Sequence, residues 1–521
     1  METTAAYGRR WWALAVLSLS LVVIGMDNTI LNVALPTLVR DLDASASQLQ
    51  WIVDAYILVF AGLLLSMGSL GDRFGRKLGL DVGLVVFGVG SVASAFAGSA
   101  DVLIGARALM GVGGALIMPS TLSIITNTFT GRERGRAIGV WAGLAGLGIV
   151  LGPVVGGWLL ERFWWGSVFL VNAPIVVLAL AAGWFVVPES KDPAATPLDL
   201  IGALLSIGGL VALVYGIIEA PSNGWTDVGT LALFGGAAAL LGAFVAWEFH
   251  RDHPMLRMAF FRDRRFTLGA SSIMLASFAL LGAIFVLTQY LQFVRGYTPL
   301  EAGIRVLPIG TLIVGAPLSA RLVERVGSKV VVGAGLLIVA AGLGVLASAE
   351  VDSSYGLVAT ALALFGFGMG TTIAPATEAV MGSLPLAKAG VGSAMNDTTR
   401  LVGGALGVAV VGSVLTSAYA SSVAAAVAAL PPQAAWAASD SIGAALVIAG
   451  QLGPAGAGLV DAARSAFVDA MATSVLIAAA IALVGGLLAL LFLPSRSAHR
   501  ATAPDGSHEH DLPEMVELRT S

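Results

Sequence analysis

The chain has 521 residues, 57% of them hydrophobic and only 12% charged, with a formal net charge of −4 at pH 7. A soluble domain carries about 25% charged residues, so a soluble domain is excluded and the chain reads as an integral membrane protein; the net charge says little, because what matters is where the charges lie. It has no cysteine, which removes disulfides and thiol chemistry.

Only helices or closed barrels satisfy the backbone in lipid, and the apolar runs are too long and too uniform for barrel strands. An all-α protein is expected. Arg9 and Arg10 precede the first run and resemble the start of a signal peptide. That run is too long, and no convincing small-residue cleavage site precedes Asp27, so a retained helix is expected over 11–35. Asp27 stands within it beside Asn28 and Asn32, where a charge costs roughly 2.5–3.5 kcal/mol on insertion scales. Further spans are expected at 51–70, 78–98, 102–124, 135–160, 167–187, 198–218, 229–248, 266–291, 300–321, 330–349, 355–381, 390–416 and 471–493, about 14 in all.

Most of the 28 Lys and Arg fall on one side of this pattern, the side of the N-terminus. By the positive-inside rule both termini are expected in the cytoplasm. The segment 417–469 has short apolar stretches broken by "LPPQ", Asp440, "QLGPAG" and Asp461, and reads as an external loop with amphipathic helices. The polar residues 494–521, with His508 and His510, read as a disordered cytoplasmic tail with no metal site. An internal repeat sets "GSLGDRFGRK" (Gly68 to Lys77) against "ARLVERVGSK" (Ala320 to Lys329), with Leu70, Asp72, Arg73, Gly75 and Lys77 opposite Leu322, Glu324, Arg325, Gly327 and Lys329. Two six-helix halves are therefore expected, 1–190 and 266–493, with two inserted spans in 191–265.

Three motifs carry chemistry. In "GSLGDRFGRK", Gly68 lets two helices meet, and Asp72 can face a helix N-terminus or a neighbouring arginine. Arg73, Arg76 and Lys77 anchor the loop at the head groups. Together with Gly75 they could latch that side shut. Arg107 lies inside span 4, where a buried arginine needs an acid, and Asp27 is the candidate. Span 5 carries Gly143, Gly146, Gly148, Gly152, Pro153, Gly156 and Gly157. Pro153 removes a backbone donor and bends the helix, while the glycines clear a packing face.

These motifs resemble those of the major facilitator superfamily. "MDNTILNVALP", "WWGSVFLVNAP", "QYLQFVRGYTPLEAG" and "GVGSAMNDTTRLVGGALGVAVVGS" resemble its 14-span drug:proton antiporters, multidrug and quaternary ammonium exporters among them. The Trp-Arg-Trp that this family often has is "WWG" here. The resemblance implies the major facilitator fold, and Asp27 as a proton-coupling carboxylate served by Arg107. It implies Gly68, Asp72, Arg73, Gly75, Gly152 and Pro153 as conformational gating residues.

Asp54 in "WIVDAY", near the outer end of span 2, resembles the acid that exporters of quaternary ammonium compounds carry in the matching place, and an interfacial aspartate facing water is equally open. Asp54 joins Glu378, Asp397 and Tyr290 as candidates for substrate binding. Asp397 and Arg400 are three apart and share a helical face, so an ion pair and a substrate contact are both open. Glu378 shares a face with Thr371 and Pro375. Phe285, Tyr290 and Tyr297 could offer cation–π surface. Some relatives bear an acid in span 10 where this chain has Thr311. The function so implied is proton-coupled efflux of amphipathic, cationic or aromatic small molecules across the cytoplasmic membrane of a bacterium. A proton-coupled importer of the same fold is the alternative. The expected partners are protons, a small-molecule substrate and membrane lipids, with no cofactor, no nucleic acid and a monomeric state. No HExxH or GxSxG motif suggests an enzyme.

Overall fold

The computed structural model describes residues 2–129, 131–191, 199–251, 254, 256–384 and 389–494, and among these no strand occurs. The helices follow in order: α1 (Glu2–Asp41), α2 (Ala46–Phe74), α3 (Arg76–Ala95), α4 (Ala100–Thr128), α5 (Gly131–Arg162), α6 (Ser167–Leu170) and α7 (Asn172–Val186). Next come α8 (Leu200–Asn223), α9 (Val228–His250), α10 (Arg264–Gln289), α11 (Pro299–Arg305), α12 (Leu312–Val326) and α13 (Ser328–Ala347). The last are α14 (Tyr355–Gly382), α15 (Ala389–Val427), α16 (Pro432–Asp440), α17 (Ile442–Gln451) and α18 (Ala457–Phe492). Fourteen spans among the described residues are long and apolar enough to cross a bilayer. An even number returns the chain to the side on which it began. That side is called here the termini face, and the other the far face.

Local chemistry sets the ends. Ser45 and Gln48 form a capping box at α2, and Thr298 and Glu301 form another at α11, where Pro299 takes the first helical position. The repeated loop motif has one geometry in both halves. Gly75 and Gly327 close α2 and α12 with φ of 132° and 85°, where a side chain would be strained. The Lys77 ammonium then donates to the Trp184 carbonyl and that of Lys329 to the Leu491 carbonyl, each at 3.1 Å, on the last helix of its own half.

Helix packing divides the spans into two bundles. In the first, α1 lies on α5, and α4 lies on α2 and α3; in the second, α10 lies on α15 and α13 lies between α14 and α18. The hairpin α8–α9 lies outside both, with α8 against α2 and α15.

Hydrogen bonds join the bundles at the far face. Gln292 donates to the Val33 carbonyl at 2.9 Å, and the Ala46 N–H donates to Asp440 at 2.9 Å. Gly157 of α5 lies so close to α11 that a methyl there would come 2.5 Å from the Pro299 carbonyl oxygen. Toward the termini face, Gly139, Gly143 and Gly146 of α5 have open space instead. The two bundles are sealed at the far face and splay toward the termini.

The connection expected over 417–469 is shorter. Helix α15 runs on to Val427 and α18 begins at Ala457, so only 428–456 connects them, with α16 and α17 in between. Polar residues such as Ser421, Asp461 and Asp469 end a hydropathy run, but alanine-rich sequence around them keeps its helical hydrogen bonds beyond the bilayer. The tail 495–521 and residues 192–198 lie outside the described residues.

Candidate functional site

The site is built around Asp27, about 27 Å along α1 from Arg9 and about 21 Å from Asp41 at 1.5 Å per residue. It is fully buried, as is Arg107 of α4. The Arg107 guanidinium meets the Asp27 carboxylate at 2.5 Å. Its Nε donates to the Ile52 carbonyl of α2 at 3.1 Å, and its plane lies 4.3 Å from the Tyr56 ring centroid and 5.9 Å from that of Phe169. The second carboxylate oxygen of Asp27 accepts from the Asn172 amide of α7 at 3.4 Å. The same amide donates to Ser91 of α3 at 3.1 Å, and the Ser91 hydroxyl donates to the Phe169 carbonyl at 2.8 Å. A buried ion pair holds only when further hydrogen bonds satisfy both partners, and this shell supplies them. Asp27 and Arg107 are thus brought together as expected. Asn172, Ser91 and Tyr56 complete the site, and the sequence pattern alone does not single them out. An amide in an apolar run has many partners to choose from.

Two residues beyond Asp27, Thr29 ties this centre to α5. Pro153 has no N–H, so the Ile149 carbonyl one turn earlier lacks its helical partner. The Thr29 hydroxyl donates to it at 2.9 Å. Gly148, Gly152 and Gly156 form the face on which α1 rests. A methyl at Gly152 would come 2.8 Å from the Met26 carbonyl, and one at Gly148 2.6 Å from that of Val22. The opposite side of the same turn of α5 meets the other bundle, where Gly303 of α11 lies against the Pro153 carbonyl. Sequence pattern marked Pro153 and the glycines but gave no sign of Thr29. A hydroxyl that fills a proline-freed carbonyl shows only once two helices are paired.

The remaining candidates scatter. Asp54 is fully buried, and neither of its oxygens has a hydrogen-bond partner, so it does not line an opening in this conformation. It lies one turn from Gln50 on the face of α2 that meets α15. Asp397 pairs with Arg400 at 3.3 Å, and the arginine side chain is 40% exposed. Glu378 is exposed while Thr371 and Pro375 are buried, so the three do not share a surroundings. Thr371 lies against Gly335 of α13, whereas Glu378, about 10 Å further along α14 at 1.5 Å per residue, is exposed.

Tyr290 offers no aromatic surface. It is fully buried and its hydroxyl donates to the Glu350 carbonyl at 2.8 Å, because a tyrosine inside a bundle needs a partner for its polar tip. Phe285 is likewise buried, and Tyr297 stacks on Arg305 at 3.8 Å. Thr311 donates to the Ala363 carbonyl at 2.7 Å. In the loop motif, Asp72 accepts from Arg76 at 2.7 Å, Arg73 lies over the Phe74 ring, Gly68 faces Pro119, and the Arg76 N–H donates to the Ser190 carbonyl at 2.9 Å.

A sequence model described as the Major Facilitator Superfamily matches residues 17–408. The chain is 39% identical over 486 residues to the multidrug efflux pump LfrA of Mycolicibacterium smegmatis, covering 92% of this chain and 96% of that one. It is 33% identical over 510 residues to the tetracenomycin C resistance and export protein of Streptomyces glaucescens, covering 95% and 94%. It is 36% identical over 466 residues to the methyl viologen resistance protein SmvA of Salmonella typhimurium, covering 88% and 93%. Among solved structures it is similar to a bacterial homolog of the human lysosomal transporter Spinster in an inward-facing, unoccupied conformation. The TM-score is 0.66 at 18% identity, over 92% of this chain and 98% of that one, which speaks for the fold alone.

Proposed function

The chain belongs to the major facilitator superfamily, a family of membrane transporters, and from that membership we propose that it is a proton-driven exporter of amphipathic small molecules such as drugs, biocides and antibiotics. It works as a monomer by alternating access between its two bundles, in the cytoplasmic membrane, with both termini inside. The far face is then external, and the described conformation is open to the cytoplasm.

The observation that carries this reading is the fully buried Asp27–Arg107 pair, with Asp27 near the middle of the first span. When Asp27 takes up a proton its ion pair with Arg107 is lost, and an uncompensated buried guanidinium is costly. The position of α1 against α4 then changes in energy. Thr29 passes that change to the Ile149–Pro153 turn of α5, whose other side forms the far-face seam with Gly303. Asp72 and Gly75 hold the termini-face loops, and so set the balance of conformations rather than bind substrate. The exposed Glu378 and the partly exposed Arg400 are the ionic groups through which a substrate would be met.

Growth inhibition of an efflux-deficient bacterium by a panel of dyes, biocides and antibiotics tests the export reading. Protection by the intact chain and none by Asp27→Asn is expected; no protection against any compound would count against export. Single cysteines at Ser421 and Ser507, in a chain that has none, test the orientation. An impermeant reagent outside intact cells should label Ser421→Cys alone.

A further inference from the structure

The hairpin α8–α9 touches both bundles through one helix, at two heights. Low on α8, Ile207 fills the space beside Gly62 of α2, where a methyl would overlap it. Higher up, the rings of Tyr215 and Trp51 of α2 lie 5.7 Å apart. About 15 Å above Ile207, at 1.5 Å per residue, α8 meets α15. There Pro221 has no N–H, so the Ile217 carbonyl has no partner in its own helix. The Ser413 hydroxyl of α15 donates to it at 2.7 Å. Ser413 is fully buried, and its oxygen also stands 3.4 Å from the Gln50 side chain of α2, itself buried. It is the Thr29–Ile149–Pro153 arrangement again, but here it joins the inserted hairpin to the far-face seam.

We propose that α8 is a strap across the seam, fixed to the first bundle at Gly62 and latched to the second through the Ser413–Ile217 hydrogen bond, so that Ser413 is a positioning residue for closure of the far face. The inference rests on the alternating-access reading. When the far face opens, α15 must leave α2, and α8 can follow only one of them. The Gly62–Ile207 interlock is steric, a half-buried side chain seated on a buried glycine, whereas the Ser413–Ile217 bond is single and exchangeable. The latch is therefore the contact that breaks.

Two opposite substitutions release the latch. Ser413→Ala removes the donor. Pro221→Ala restores an N–H that bonds Ile217 within α8, and so competes with an intact Ser413 for that carbonyl and weakens its hydrogen bond. Alanine also suits a helix better than proline, so this second variant guards against misfolding of the first. The readout is the rate at which a thiol reagent labels Ala409→Cys, fully buried on α15 one turn from Ser413, in nanodiscs with both faces accessible. Each variant should raise that rate by about 2- to 12-fold, the shift that one buried hydrogen bond commands. The double variant should raise it no further, and Ser413→Thr should keep the original rate. An unchanged rate in either single variant, or a double variant equal to the product of the two, overturns the latch. Labelling needs neither substrate nor proton gradient, so its failure leaves the export reading standing, and failure of export leaves the latch standing.

Discussion

Replacing Gly157 with alanine puts one methyl into the seam between α5 and α11. The added carbon would sit 2.5 Å from both the Pro299 carbonyl oxygen and the Leu300 Cα, where ordinary contact begins near 3.4 Å. Both are backbone atoms of the other bundle, so no side chain can turn aside, and the seam must open by roughly 1 Å or tolerate an overlap costing about 1–3 kcal/mol. That cost falls only on the conformation sealed at the far face. The gain of about 1 kcal/mol from alanine in place of glycine within a helix applies to both conformations and cancels from their ratio. The ratio of far-face-closed to far-face-open protein should therefore fall by about 5- to 160-fold, while thermal stability holds or rises. Spin labels on cysteines at Gly98 and Asp352, exposed residues of opposite bundles at that face, would report it as a growing population of longer distances. A distance distribution identical to that of the parent would refute the argument that this seam decides which face is closed.

Thr29→Val leaves the Ile149 carbonyl buried without a donor and should lower the unfolding free energy by about 1–3 kcal/mol, with Thr29→Ser close to the parent; thermal unfolding in detergent checks it. Asp72→Asn removes a part-exposed ion pair with Arg76 across the Gly75 break between α2 and α3, worth only about 0–1 kcal/mol, so stability and equilibrium substrate binding should hold while transport slows. A loss of affinity matching the loss of rate would place Asp72 in the binding site. Asp440, in the far-face connection, is pushed above the usual carboxylate range by burial, against the lowering effect of the Ala46 N–H, with Tyr419 its titratable neighbour. An acid whose value is raised in the closed state binds more protons there. Far-face closure should therefore be favoured at low pH and weaken as pH rises through that raised value, and Asp440→Asn should flatten the dependence in the same spin-label assay.

What the sequence disclosed follows from how each feature is encoded. Spans and the Asp27–Arg107 pair could be read directly, because a charge in an apolar run is costly enough to demand a partner. The repeated loop motif was legible because glycine at positions 75 and 327 answers to a local backbone angle. Helix ends at Val427 and Ala457 were not, since helical hydrogen bonds outlast hydropathy. Tyr290 misled because an aromatic residue near a span end gives no sign of which side it turns to. Thr29, Ser413 and Asn172 stayed hidden for a common reason: each acts across a helix pair, and a single chain does not announce its pairings.

The central claim is that Asp27 couples proton movement to export, and the most direct measurement is substrate transport in proteoliposomes with and without an imposed pH gradient, for the intact chain and for Asp27→Asn. With asparagine at 27 the side chain cannot carry a proton but keeps its shape and a hydrogen bond to its neighbours. Uphill, gradient-driven transport should vanish for every substrate while downhill exchange persists, since alternating access itself is intact. Uphill accumulation by Asp27→Asn at the rate of the intact chain would contradict the account.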